Sequence, residues 1–115
     1  MDTFSLPELI AEQIALAEKA SSGRSAHTIY GGHQHTLRQT LIAMAQGQIL
    51  EEHENPGEAT LHILHGAVRL RTADQSFDGA AGDFFIIPNS RHSLEALQTA
   101  AVLLTVAKPL TERDD

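Results

Sequence analysis

The chain has 115 residues, enough for one domain that buries roughly two thirds of its unfolded surface around a single core. Eight Lys and Arg against fifteen Asp and Glu leave a net charge of -7, which repels phosphate backbones and anionic lipid and so argues against nucleic acid as a partner. With no cysteine, disulfides, thiolate nucleophiles and thiolate metal sites are excluded; imidazole and carboxylate remain as metal ligands, and seven histidines make that remainder worth following.

The chain does not open on the basic, apolar, small-residue succession of a signal peptide, and nowhere do about 18 apolar residues run together, so the expectation is a cytoplasmic protein without membrane contact. Ser5-Leu6-Pro7-Glu8 reads as a helix start: Ser5 caps, Pro7 is tolerated in the first turn, and Glu8 completes a capping box. Leu6, Leu9, Ile10, Ile14 and Ala17 then recur at three- and four-residue intervals and give one apolar stripe on a helix running to about Lys19 or Ala20, where Ser21-Ser22-Gly23 ends it. Such a stripe packs on the domain's own sheet, on a twin subunit's sheet, or on a partner.

After Gly31-Gly32 the pattern changes to short strands, over residues 36–45, 48–55, 59–64, 67–71, 84–87, 93–97 and 101–107. Pro56-Gly57 suits the centre of a type II turn, and residues 72–75, Asp78-Gly79 and Gly82-Asp83 read as further breaks. Many short strands after a single helix indicate an antiparallel sandwich or barrel rather than a parallel sheet with crossover helices. Residues 111–115 read as a frayed tail.

Strand residues two apart share a face, so a His-x-His pair offers two imidazoles to one point inside a sheet. In this the sequence resembles the cupin superfamily, whose first motif runs Gly, five residues, His-x-His, three or four residues, Glu, six residues, Gly. The second runs Gly, five residues, Pro-x-Gly, two residues, His, three residues, Asn. Five residues separate Gly47 from His53 and Gly66 closes the first motif in register; five residues separate Gly82 from Pro88, and His92 follows one residue early. Asn55 replaces the second histidine and Ala59 the glutamate, so two of four family ligands remain, His53 and His92. An amide and a methyl group do not replace imidazole and carboxylate as ligands for transition metals.

The resemblance implies an all-β fold, an antiparallel double-stranded β-helix or jelly-roll barrel with one N-terminal α-helix: residues 1–22 as a helix packed on the barrel, and 23–115 as a single cupin domain. It also implies a homodimer and a pocket for a small molecule in the barrel. The residues expected at that pocket are His53, Asn55, Arg38 and His92, with Arg38 able to clamp a ligand carboxylate. Gly31-Gly32-His33-Gln34-His35 holds the chain's true His-x-His pair. A rebuilt divalent site of His33, His35, His53 and His92, for zinc, nickel, iron or manganese, stands beside the reading in which the same histidines line a polar cavity or surface loop. A metal would make the chain a dioxygenase- or isomerase-like enzyme; without one it is a binding protein, or an interaction module with a vestigial pocket. By strand alternation His62 points outward, and Phe84, Phe85, Ile86 and Ile87 supply more apolar surface than one core uses. No Gly-x-Ser-x-Gly elbow and no glycine-rich phosphate cradle is present.

Overall fold

The structure, a computed structural model, describes residues 1–52 and 58–108. Helix α1 spans Leu6–Lys19, as the apolar periodicity predicts. Ser5 sits in an extended conformation at the N-cap and its hydroxyl accepts the Glu8 N–H at 3.4 Å, while Pro7 occupies the first turn, where no N–H is needed. Ala17 is fully buried, with Leu6, Leu9, Ile10 and Ile14 half-buried beside it. The stripe also contains Gln13, a polar residue absent from the apolar pattern. Burial there is tolerated because Ser25 donates its hydroxyl to the Gln13 side-chain oxygen and lies at 2.8 Å from its carbonyl as well. Among the described residues no helix is long and apolar enough to cross a membrane.

Among the described residues nine strands follow: β1 Arg24–Tyr30, β2 Leu37–Met44, β3 Ile49–Glu52, β4 Glu58–His65, β5 Ala67–Arg71, β6 Ser76–Ala80, β7 Phe84–Ile86, β8 His92–Ala96 and β9 Ala100–Ala107. They form two antiparallel sheets, β1-β2-β9-β4-β7 and β3-β8-β5-β6. From β2 to β5 each strand crosses to the facing sheet, and from β6 to β9 it does so again, which is the winding of a jelly roll.

Seven strands fall where alternation places them, to within a residue or two; residues 53–57, which include the end of the expected 48–55 strand and the Pro56-Gly57 turn, lie outside the described residues, as does the tail 111–115. Two strands were not expected. β1 is an edge strand carrying Ser25, Ala26, His27 and Thr28, too few apolar residues to mark a period. In β6, Asp78-Gly79 is no break: Asp78 points outward to Arg69, and Gly79 is buried because a Cβ there would stand 2.6 Å from the Phe85 ring. The glycine makes room for an aromatic ring rather than a turn.

The outer face of β1, β2 and β9 receives α1, so Leu41, Ala43 and Ala101 are fully buried beneath it. The sandwich core lies on the other face, where Ile42, Met44, Leu61, Ile63 and Val102 of one sheet meet Val68, Leu70, Leu94 and Ala96 of the other. Gly66 joins β4 to β5 with φ +76°. A Cβ on it would overlap the Thr99 carbonyl oxygen and stand 2.9 Å from the Ala100 Cα, so the hinge between the sheets is built against the start of β9.

Candidate functional site

Antiparallel register fixes which side chains share a row. At one end of the five-stranded sheet, Arg38 lies opposite Val106 and Val106 opposite Ala59, while the Ile87 N–H donates to the Ala59 carbonyl at 3.0 Å. By alternation this row shares the inner face with Ile42, Leu61 and Leu104, one step nearer the open end of the barrel. On the facing sheet His92 opens β8, lies opposite Glu52 in register, and shares the face of Leu94 and Ala96. Arg38 and His92 therefore both stand at the same mouth.

Beneath the mouth the described residues pack closely. A cavity of about 20 Å3 remains, lined by Ile42, Leu50, Leu61, Leu70, Ile87, Leu94, Leu104 and the imidazole of His92. That volume holds about one water. His92 is 9% exposed, and its Nδ1 stands 2.9 Å from the Ser90 carbonyl. A carbonyl only accepts, so Nδ1 carries the proton in the neutral ring, and Nε2 is the basic nitrogen. Arg38 is exposed and has no carboxylate within ion-pairing distance among the described residues.

His33 and His35 stand elsewhere. Both are exposed in the turn between β1 and β2, where the His35 ring meets Tyr30 edge-on, with centroids 5.0 Å apart and planes at 70°. His35, Tyr30, Leu37, Gln39 and Phe4 line an open groove of about 830 Å3. Leu37 and Gln39 alternate with Ile42's neighbours on the outer, helix-bearing face, so this groove lies across the sheet from the cavity that His92 lines. His53 and Asn55 lie outside the described residues. Ala59, in the position of the family's glutamate, faces inward and is buried, and Glu58 beside it is exposed. Among the described residues no group of three or more His, Asp or Glu side chains converges as a metal site. The donor set they offer at the mouth is one imidazole, which does not fit a resident divalent ion without help from residues 53–57.

The outer faces are charged on one sheet and apolar on the other. Arg69 donates from Nε and Nη2 to the two carboxylate oxygens of Asp78, at 2.6 and 3.0 Å, and Arg71 donates to Glu95 at 3.1 Å. The hydrogen bond from Arg69 holds the Asp78 carboxyl below its ordinary pKa, and the same bond raises that of Arg69. On the five-stranded sheet His62 faces outward, as alternation predicts, with its ring 6.0 Å from Phe84. Phe84 and Ile86 beside it are 59% and 81% exposed.

Sequence reasoning did not single out Arg71, Thr72 and Ser93. They line a cleft of about 300 Å3 with Glu51, Ala73, Arg91 and His92 at the lip of the four-stranded sheet. Alternation puts Arg71 and Ser93 outward on their own strands, but their adjacency depends on the strand order β3-β8-β5, which no local pattern reveals.

No protein-family model matches this sequence, and no curated protein matches it. Solved structures do. A cupin superfamily protein from Desulfitobacterium hafniense superposes with a TM-score of 0.74 at 18% identity, covering 95% of this chain and 94% of that one. A conserved protein of unknown function from Streptococcus pyogenes gives 0.69 at 25% identity over 78% of each chain. A variant of salicylate 1,2-dioxygenase from Pseudoaminobacter salicylatoxidans gives 0.72 at 18% identity, covering 90% of this chain and 34% of the enzyme. Likeness at these identities is a likeness of fold, and function has to be argued from the site itself.

Proposed function

From a chain with the cupin fold, we propose a protein that binds a small organic acid across the mouth of the barrel. The observation that carries this reading is the one imidazole set into an otherwise apolar cavity, with Arg38 on the same inner face and no carboxylate to neutralise it among the described residues. A guanidinium without an ion-pair partner is suited to take a ligand carboxylate through two parallel hydrogen bonds. The cavity below is too small for a molecule larger than water, so the ligand sits over His92 and not beneath it. Asn55 and His53 would then complete the rim from residues 53–57.

The test is thermal unfolding in the presence of short carboxylic acids and, as neutral comparison, sugars. A ligand at a hundred times its Kd stabilises the native state by about 2.7 kcal/mol. Acids should raise the unfolding temperature of the wild type and raise that of Arg38→Gln and His92→Leu much less. Equal upshifts in all three proteins would end the proposal.

A second reading is favoured by the Nδ1–H donated to Ser90. Metal-ligating histidines characteristically tie the second ring nitrogen to a carbonyl in this way. In that reading His92 and His53 would hold zinc, nickel, iron or manganese, which would supply Lewis-acid chemistry to a dioxygenase- or isomerase-like enzyme. Equilibration with each metal followed by dialysis separates the two: about one ion retained per chain supports the enzyme, and none retained removes it. If neither acid nor metal binds, an interaction module with a vestigial pocket is left. The exposed Phe84 and Ile86 beside His62 support a homodimer through the outer face, since an apolar patch of this kind is ordinarily covered. Sedimentation of the wild type against Phe84→Glu tests it, with a shift toward monomer in the variant expected.

A further inference from the structure

The cleft at the lip of the four-stranded sheet shares His92 with the cavity at the barrel mouth and has a charge arrangement of its own. Register places Glu51 opposite Ser93 and Ser93 opposite Arg71, so three outward side chains stand in a row across β3, β8 and β5. Two strand spacings separate the acidic end from the basic end, roughly 10 Å between backbones. Arg91, in the turn before β8, adds a second guanidinium, and Thr72 and Ala73 close the side. The Thr72 hydroxyl is held in its own turn, donating to Asp74 at 3.4 Å and accepting the Gln75 N–H at 3.2 Å, so it serves as a fixed wall.

On the rest of this face opposite charges cancel one another, as the paired Arg69 and Asp78 show. In the cleft the Arg71–Glu95 pair is joined by two charges, Arg91 and Glu51, that no such pair cancels among the described residues. Arg71 gives one Nη2 to Glu95 and keeps the remaining donors of its fork, while Arg91 and Glu51 have no ion-pair partner among the described residues. Both sit in one concavity of about 300 Å3, the lower end of the range for small-molecule sites. In a chain of net charge -7 with eight cationic side chains, two guanidiniums meeting there is not an averaged surface.

We propose that this cleft binds a small zwitterion of amino-acid type, its carboxylate accepting hydrogen bonds from Arg71 and Arg91 and its ammonium donating to Glu51 over the Ser93 hydroxyl. A simple anion would leave Glu51 repelling it, and a simple cation would leave the guanidiniums repelling it; a molecule with both charges satisfies both ends. The site shares the His92 wall with the barrel mouth but needs neither Arg38 nor a metal, so it stands or falls independently of the reading above.

Glycine, β-alanine and γ-aminobutyrate, which differ in the spacing of the two charges, are titrated into the full-length protein at constant ionic strength and followed by amide resonances. Acetate and methylammonium serve as half-ligands. Expected are saturable shifts at Thr72, Ser93 and His92 for at least one zwitterion, with affinity about fivefold or more above either half-ligand. Arg91→Gln and Glu51→Gln should each weaken it about fivefold to tenfold, and in Glu51→Gln the preference over acetate should disappear. Arg69→Gln, on the same face outside the cleft, should leave binding unchanged. No saturable shift with any of the three zwitterions, acetate binding as well as they do, or unchanged affinity in Arg91→Gln and Glu51→Gln would each overturn the proposal.

Discussion

Two glycines with the same backbone demand and different surroundings allow a clean test of how the barrel is hinged. Gly47 and Gly66 have φ of +88° and +76°, so alanine at either position is forced into a region that L-residues disfavour. That penalty is about 1–2 kcal/mol, and the reduced freedom of the unfolded chain returns about 0.4–1 kcal/mol of it. At Gly47 no atom of the described residues, its chain neighbours aside, lies within 4 Å of the added Cβ, so Gly47→Ala should cost about 1 kcal/mol. At Gly66 the Cβ overlaps the Thr99 carbonyl and stands 2.9 Å from the Ala100 Cα, against ordinary carbon contacts of about 3.5–4.0 Å. The start of β9 would have to retreat by roughly 1 Å. That strand is paired on both sides, to β2 and β4, and carries Ala101 and Val102 into opposite cores, so retreat adds an overpacking cost of about 1–3 kcal/mol. Gly66→Ala should therefore lose about 2–4 kcal/mol. In a domain of this size 1 kcal/mol moves the midpoint by about 4 °C, giving falls of about 4 °C for Gly47→Ala and about 8–16 °C for Gly66→Ala. Thermal melts followed by circular dichroism, with urea midpoints alongside, measure both. Falls within about 2 °C of each other would refute the close approach of β9 to the hinge.

Three further outcomes follow from packing and charge. Ile63 is fully buried in the centre of the sandwich, so Ile63→Ala should cost about 2–5 kcal/mol in urea unfolding with an unchanged slope; a loss below about 1 kcal/mol would mean that the two sheets do not meet there. Gly79→Ala and Phe85→Leu should each destabilise, yet together cost at least about 0.5 kcal/mol less than their sum, because the smaller side chain vacates the space the new methyl takes; strict additivity would deny the contact. Arg69 holds the Asp78 pKa below its unfolded value, so the ionised pair contributes stability above the unfolded carboxylate pKa and loses it as pH falls through the lower folded one. The stability gap between wild type and Asp78→Asn should be present at neutral pH, close as pH falls through the lowered folded carboxylate pKa, and shrink in high salt because both groups are exposed; a gap that persists in acid would assign it to another cause.

Much of this architecture was legible in the residues themselves. The helix was, because capping and a three-four apolar period act locally in Ser5 to Lys19. So was the outward His62, because β4 is covered on one face by core and alternates accordingly. β1 escaped because an edge strand with one flank unpaired carries little apolar signal, and β6 because Gly79 looks the same in a sequence whether it turns the chain or clears space for Phe85. The site divides along the same line. Motif spacing pointed to His92 through Gly82 and Pro88, which flank β7 ahead of it. Whether His33 and His35 reach the same place depends on which side of β2 their turn leans, and the structure puts His35 on the outer side against Tyr30. Glu51 and Arg71 became neighbours only through the pairing of β3 and β5 with β8, an arrangement assembled from segments twenty residues apart along the chain.

Tyr30 stands edge-on to His35 beside the segment that leads into α1, and it is the one tyrosine in a chain without tryptophan. Every near-ultraviolet signal above the weak phenylalanine bands therefore originates from that single corner of the molecule. Phenol emission and dichroism would follow the seating of the amino-terminal residues and would be blind to the barrel interior. A melt monitored at this wavelength reads one outer corner, and its coincidence with the far-ultraviolet transition is a direct measure of whether that corner and the sandwich come apart together.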